Sequence, residues 1–361
     1  MPASALGKTL TALNASAYIT EPGASTLYYA NVSSSYWHLS ERPLLLIVDA
    51  SAQVTVLTPK FEGTCVRLLS IPADAEWVEW VEDEVPCKQL PDIKGTVFVD
   101  GSIHHFIVNG LRTVFPKATV IAVSTEIRQL RERKSEGELE LLRCANEATL
   151  LAIQHTHKHM HISIRESGAH QLVACTLANV CAFNVTCSPS YPALPHGSGT
   201  DRRLGPDDFA LFDCTTSLHG YWSDITCTLA LPASTIPDIH LQIWNFVHSA
   251  QHSTFQTIHT GVAAKHVDET PRLFLRLAGY AMYFTHCLGH GIGLEVHEDP
   301  YLNGGSEAIL QTGHTFSDEP GVYIEGKVSV RLEDCFYIAQ NGSAVYLMAG
   351  VGGPALSPWK P

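Results

Sequence analysis

Phe209-Ala-Leu-Phe-Asp213-Cys-Thr-Thr-Ser-Leu-His219-Gly-Tyr-Trp-Ser-Asp224-Ile-Thr-Cys-Thr-Leu-Ala-Leu231 is the stretch on which the reading of the fold turns. Its two ends, Phe209–Cys214 and Tyr221–Leu231, are rich in β-branched and aromatic residues, the composition that suits a pleated, half-buried surface. The span around Leu218 and His219 reads as a turn, so the two segments form a hairpin that sets Asp213 and Asp224, eleven residues apart, opposite each other. Two carboxylates held together among Phe, Leu and Ile residues repel unless a cation or a shared proton lies between them.

Further along, the device repeats. Gly321–Ile324 and Val328–Ile338 also read as strands, and a turn at Glu325-Gly326-Lys327 makes Glu319 and Glu333 symmetric about Gly326. His290 stands in the glycine-flanked run Gly289-His290-Gly291-Ile292-Gly293. Taken one at a time, such residues are ordinary turn acids or satisfied histidines. Together, Asp213, Asp224, His290, Glu319 and Glu333 offer four carboxylates and one imidazole, a charge that two divalent ions would balance. An oxygen-rich set with one histidine favours a hard ion such as Mn2+, with Co2+, Fe2+ or Zn2+ also fitting.

Outward from this cluster the chain divides. From Ala15 to Ser124, short apolar runs (Pro43–Val48, Val54–Leu57, Thr96–Val99) alternate with turn residues and amphipathic stretches, which predicts a small α/β domain over residues 1–125. Residues 126–361 read as a larger α+β domain whose hairpins carry the chemistry. Its first helix opens at the capping box Ser135/Glu138 and buries a stripe of Leu139, Leu142, Ala145 and Thr149. A second capping box, Ser163/Glu166, predicts a helix through Phe183, and two more are predicted over Pro237–Thr260 and Val267–Leu277.

Bulk properties exclude several classes. A formal net charge of −13 argues against a nucleic-acid partner, because binders displace counterions with excess Lys and Arg. No apolar run is long enough to span a bilayer, so no membrane partner is expected. The 10 cysteines are scattered without a CxxC pair in a chain of 361 residues, which reads as free thiols and a cytoplasmic location. Sequons at Asn14, Asn31, Asn184 and Asn341 point instead to a secreted protein whose leader was removed. The alternating His155, His157, His159 and His161 read as a solvated polar face, and Cys214, Cys227, Cys287 and Cys335 as core thiols.

The segment His286-Cys-Leu-Gly-His290-Gly-Ile-Gly-Leu-Glu-Val-His297-Glu-Asp-Pro300 resembles the signature of prolidases and aminopeptidases P. Around it the order is also similar: Leu194-Pro-His196-Gly, Asp213, Ser223-Asp224-Ile-Thr, Glu319-Pro-Gly-Val-Tyr323 and Val330-Arg331-Leu-Glu333-Asp334. Leu27–Pro43, Ile127-Arg-x-x-Arg and Lys134-Ser-x-x-Glu look like the creatinase-type amino-terminal domain and its connecting helix. The resemblance implies a pita-bread catalytic domain behind a creatinase-like α/β domain, a homodimer, and hydrolysis of Xaa-Pro bonds in small peptides by a dipeptidase, or else by an aminopeptidase P-like enzyme.

It also implies roles. Asp213 would bind one ion, His290 and Glu319 the other, with Asp224 and Glu333 bridging. His196, His286 and His297 match histidines that bind substrate or steady the tetrahedral intermediate, Arg331 matches the arginine that supports the carboxylates, and Glu319 would also shuttle a proton. Tyr36, Trp37 and His38 correspond to an aromatic cluster that can reach a neighbouring subunit's site, or else belong to the hydrophobic core of the first domain. Cys287 and Asp318 depart from the family pattern, the first beside a substrate-binding histidine. The fold also hosts hydrolases and lyases of small C–N or C–S compounds, and inactive binding modules, against which the five intact ligands count.

Overall fold

The computed structural model describes residues 2–33, 37, 39–180, 184–190 and 201–361, with backbone alone for Val180 and for 184–190. His196, Tyr36 and His38 lie outside the described residues. The chain forms two compact units, Met1–Arg131 and Glu132–Pro361.

The first unit runs α1 (Pro2–Ala12), β1 (Ala15–Thr20), α2 (Ala24–Ala30), β2 (Leu45–Asp49), β3 (Val54–Pro59), α3 (Gly63–Val66), β4 (Glu76–Trp80), β5 (Gly95–Val99), α4 (His105–Val114), β6 (Ala118–Ala122) and α5 (Thr125–Glu132). Its strands among the described residues form one sheet in the order β4-β3-β2-β1-β5-β6. Strand β2 explains why the sheet is a middle layer. Leu45 and Ile47 point into one core with Ile19, Val97 and Ile107, whereas Leu46 and Val48 point into another with Leu6, Leu10 and Phe98. A strand apolar on both faces must be covered on both, at roughly 1.5–3 kcal/mol for each large side chain removed from water.

In the second unit follow α6 (Glu136–His159), α7 (Glu166–Val180), β7 (Asn184–Ser190), β8 (Ala210–Leu218), β9 (Tyr221–Leu229), α8 (Asp238–Phe255), α9 (Ala264–Leu277), β10 (Gly289–Gly291), β11 (Glu298–Leu302), β12 (Thr315–Asp318), β13 (Gly321–Ile324), β14 (Val328–Arg331), β15 (Asp334–Ile338) and β16 (Ala344–Tyr346). Among the described residues these strands form three sheets, β7-β8-β9, β11-β10-β12-β15-β16 and the hairpin β13-β14. Helices α6 and α7 lay Leu150, Ile153, Val173 and Leu177 on Phe212, Ile225 and Cys227 of the first sheet. Trp244 and Val247 of α8 and Leu275 of α9 share a second core with Phe316, Val322, Val330 and Phe336. Since side chains alternate along a strand, burying one face of each sheet under helices turns the other face inward, and that inner face carries the polar residues.

Helix α6 has Ser135 as N-cap with the Glu138 capping box, and Leu139, Leu142, Ala145 and Thr149 are buried. Three local expectations are corrected. Ser163 does not cap α7: it sits at φ 73° and hands its N–H to the Leu204 carbonyl at 2.8 Å. The cap comes from elsewhere in the chain, with Asp201 Oδ1 accepting from the Ser167 N–H at 3.0 Å. Helix α8 stops at Phe255 rather than Thr260. There the Thr257 hydroxyl donates to the Thr254 carbonyl at 2.7 Å, and the Thr260 N–H leaves for Gly342. The predicted strand Val328–Ile338 is two strands, broken at Leu332–Glu333 because both backbone groups of Glu333 pair with Thr226 of the other hairpin.

Candidate metal centre

Strands β8 and β9 turn at His219–Gly220, with φ 50° and 85°, the two positive values that a two-residue type I′ hairpin requires. The resulting register opposes Asp213 to Thr226 and Asp224 to Thr215. Asp213 and Asp224 are therefore diagonal neighbours on one face rather than directly opposed. The turn is two residues long and centred one place later than the acids' midpoint. Thr226 and Thr228 share that inner face with Asp224.

In the second hairpin, β12 pairs with β15 and β13 with β14 in a single continuous register, Asp318 against Asp334 and Gly321 against Arg331. Glu319 and Glu333 fall opposite each other in the gap, where Pro320 supplies no N–H and the hairpin tip leaves the main sheet. His290 is the middle residue of β10, between β11 and β12. Its flanking glycines are required by closeness. A Cβ on Gly289 would lie 2.1 Å from the Ser317 carbonyl oxygen, and one on Gly291 2.6 Å from that of Glu298.

These elements bring all five residues together. Ligand-type atoms of Asp213, Asp224 and Glu333 lie within 4.8 Å of one another, as do those of His290, Glu319 and Glu333, and those of Asp224, His290 and His297. His290 Nε2 is 3.4 Å from Glu319 Oε1 and 3.7 Å from Asp224 Oδ2. Burial, then repulsion from Glu333 and Asp213, raises the Asp224 carboxyl well above its ordinary range; burial and Glu333 do the same to Glu319. Burial also brings Glu333 to about 7.

The protonation of His290 tests whether a cation fits. Its Nδ1 is 3.0 Å from the Gly291 carbonyl, which can only accept, so the ring proton belongs on Nδ1. Burial, followed by the neighbouring His297, lowers the imidazole to about 3, so the ring is neutral at pH 7. The Nε2 lone pair thus points among carboxylate oxygens. A nitrogen acceptor facing carboxyl oxygens is satisfied either by a proton held on the acid or by a cation, and a divalent ion would satisfy the nitrogen and the carboxylates together. Oxygen donors with one imidazole nitrogen are what divalent ions of moderate hardness take up.

Around the acids runs a donor frame. Arg331, 2% exposed in its side chain, reaches Asp213 Oδ2 from Nη2 at 2.5 Å and Tyr323 OH from Nη1 at 3.2 Å. Its Nε donates to Thr226 Oγ1 at 3.0 Å, and that hydroxyl donates to Glu333 Oε2 at 2.6 Å. Tyr323 OH in turn is 2.7 Å from His286 Nε2, while His286 Nδ1 faces the Cys287 carbonyl at 2.7 Å. His297 is exposed and packs edge-on against His290, ring centres 4.1 Å apart. Sequence reasoning named Arg331, His286 and His297 and gave no part to Thr226, Tyr323 or Ser317, whose hydroxyl donates to Glu319 Oε1 at 3.2 Å. For Thr226 a signal existed: Asp224, Thr226 and Thr228 recur with the period of two that marks a polar strand face.

Of the remaining candidates, His155 and His159 are exposed on α6, their ring centres 4.4 Å apart. Cys227, Cys287 and Cys335 are free, but Cys214, expected as a thiol, is disulfide-bonded. Among the described residues no helix is long and apolar enough to cross a membrane.

Comparison with known proteins agrees with this geometry. The model of metallopeptidase family M24 matches residues 140–340. An uncharacterized peptidase of Schizosaccharomyces pombe is 33% identical over 337 residues, covering 88% of this chain and 74% of its own. The crystal structure of a prolidase from Pyrococcus horikoshii superposes with a TM-score of 0.85 at 23% identity, over 96% of this chain and 97% of that one. A dipeptidase from Mycobacterium ulcerans gives 0.86 at 25% identity, over 96% and 94%. The chain therefore has the pita-bread fold and belongs to metallopeptidase family M24.

Proposed function

We propose that this chain is a dinuclear metallo-exopeptidase that cleaves Xaa-Pro bonds, acting as an Xaa-Pro dipeptidase. The observation that carries the reading is that four carboxylates and a neutral His290 meet in overlapping groups, Asp213, Asp224 and Glu333 in one and His290, Glu319 and Glu333 in another, with His286 and His297 at the margin. That a prolidase and a dipeptidase are among its structural relatives supports the choice of substrate class. A bond to proline has no amide hydrogen and a ring in place of a free N-substituent, so a site relying on extended strand pairing cannot hold it.

Asp213, Asp224, Glu333, Glu319 and His290 would hold two divalent ions, with Mn2+ the preferred assignment. Such ions, when bound, make water a nucleophile near neutral pH and polarise the scissile carbonyl. The chain's own groups do the rest. Arg331 fixes Asp213 and, through Thr226, Glu333. Glu319 moves a proton at Oε toward the departing proline nitrogen. His297 donates from its imidazole to the developing oxyanion, and His286, held by Tyr323, orients the substrate, with His196 in the same role.

The test is a substrate panel. Enzyme reconstituted with Mn2+, Co2+, Fe2+ or Zn2+ is offered Xaa-Pro dipeptides, longer Xaa-Pro peptides and creatine-like amidines. Turnover of the dipeptides above all others is expected. Failure on every proline substrate, with amidines consumed, would transfer the chain to the non-peptidase branch of the fold.

A further inference from the structure

We propose that Asp268 and Arg272, one turn apart on α9 and outside the metal cluster, are positioning residues for His286. Residues 284–288 belong to no helix or strand, so their backbone groups need partners from elsewhere. Arg272 supplies two, donating from Nη1 to the Phe284 carbonyl at 3.3 Å and from Nη2 to that of His286 at 2.5 Å. Its guanidinium also lies over the Phe284 ring, 4.4 Å from the centre, and that ring meets the His286 imidazole edge-on at 5.1 Å. Asp268, 3% exposed in its side chain, grips Arg272 with both oxygens, at 2.8 and 2.9 Å, and accepts from the Leu288 N–H at 2.9 Å.

The loop is thus pinned at 284, 286 and 288 by one pair of side chains. At its middle the imidazole meets the Tyr323 hydroxyl, which Arg331 also holds. Position by position, the arrangement demands an arginine. Its planar fork engages a carboxylate on one edge and two carbonyls on the other, which the point charge of a lysine cannot do. Fixing the carbonyl of His286 fixes the Cα from which its side chain departs, so loosening the clamp shifts the ring against the metal-binding acids. A displacement on the order of 1 Å at such a position costs about 100-fold in rate. The kinetic half of the argument rests on the proposed peptidase reading; the placement of the imidazole does not.

The experiment is a double-mutant cycle between Arg272→Lys and His286→Ala, joined to the 13Cε1-histidine spectrum of the Zn2+-loaded enzyme. Lysine keeps the charge beside the buried Asp268, so the fold and the metal content are retained. Expected are a shifted or broadened His286 signal and a roughly 10- to 100-fold loss of kcat/KM on an Xaa-Pro dipeptide. In the His286→Ala background, Arg272→Lys is expected to have no further effect. An unmoved His286 signal, or an equal loss in both backgrounds, overturns the assignment and leaves the pair a structural anchor. Should wild-type enzyme hydrolyse no proline substrate, the peptidase reading fails alone, and the spectrum still decides the clamp.

Discussion

Glu319 and Glu333 face each other across a gap in a hairpin whose register never changes: Asp318–Asp334 on one side of the gap and Gly321–Arg331 on the other belong to the same count. Interrupting the ladder without shifting it frees two opposed carboxylates from strand packing and aims both at His290 and the β8–β9 acids. The backbone of Glu333 is then secured by Thr226 of the other hairpin. One residue thereby joins the two hairpins covalently distant in the chain.

Glu333→Gln is the substitution that isolates charge from shape. The amide oxygen can still accept from the Thr226 hydroxyl, and the backbone bridge is untouched. Removing one of four negative charges should weaken metal binding by more than about 100-fold, beyond the effect of losing an outer hydrogen-bond partner. Peptidase activity should fall with it. Retention of two ions per chain at micromolar free metal, measured by equilibrium dialysis and mass spectrometry, would contradict the ligand set.

The raised carboxyls make the stability of the metal-free protein depend on pH in a stated direction. Burial moves Glu333 from an ordinary 4.5 to about 7 and raises Asp224 and Glu319 as well. Between these values these carboxyls, with the likewise raised Asp318 and Asp334, hold more protons in the folded chain than in the unfolded one. They outnumber the lowered His290 and His314, whose contribution has the opposite sign, so stability is lost as pH rises through the folded carboxyl values. Metal-free protein should therefore melt at a lower Tm at pH 8 than at pH 5.5. Added Mn2+ should reverse the difference at pH 8, because an ion replaces the protons and binds the folded state only. Calorimetry at both pH values, with and without chelator, checks the sign; a Tm of the metal-free chain that rises over this window would refute it.

Two glycine substitutions should part company. Gly289→Ala places a methyl 2.1 Å from a backbone oxygen of β12, and neither strand can yield without moving His290. Overpacking of this kind costs about 1–3 kcal/mol, and the metal site should lose affinity along with stability. Gly326→Ala, at φ 69° in an open turn, should cost about 1 kcal/mol from its left-handed backbone alone and leave metal binding unchanged. Thermal melts paired with metal titrations separate the two; equal metal affinity in both variants would remove closeness as the reason for glycine at 289.

How much of this could be read from residues alone depends on how local each cause is. The Glu319/Glu333 symmetry about Gly326 was readable, since a hairpin converts sequence spacing into spatial opposition. So was the start of α6, where Ser135 and Glu138 satisfy each other within one turn. Other features depend on partners remote in the chain. Asp201 caps α7 from more than thirty residues away, and Thr226 breaks the strand at Glu333 from across the site. The offset of Asp213 from Asp224 turned on which two residues form the loop, a one-place difference that apolar patterning does not resolve. Tyr323 was visible in its motif, but its position between His286 and Arg331 is a tertiary fact.

Arg331→Lys tests the frame rather than the ligands. Arginine here meets Asp213, Tyr323 and Thr226 at once from three nitrogens, in a position with almost no access to water. Lysine preserves a cation near Asp213, so the carboxylate is not abandoned, but one ammonium cannot reproduce three directed contacts. Metal content should be nearly normal at saturating ion, with affinity lowered roughly 10- to 100-fold as for other outer partners of metal ligands. Arg331→Met goes further and strands Asp213 beside the other acids, so its metal-free form should be destabilised by about 3 kcal/mol, a loss that saturating metal offsets. If Met and Lys variants bind metal alike and melt alike without it, the guanidinium contributes shape only, and the pairing of its charge with Asp213 has no part in holding the site.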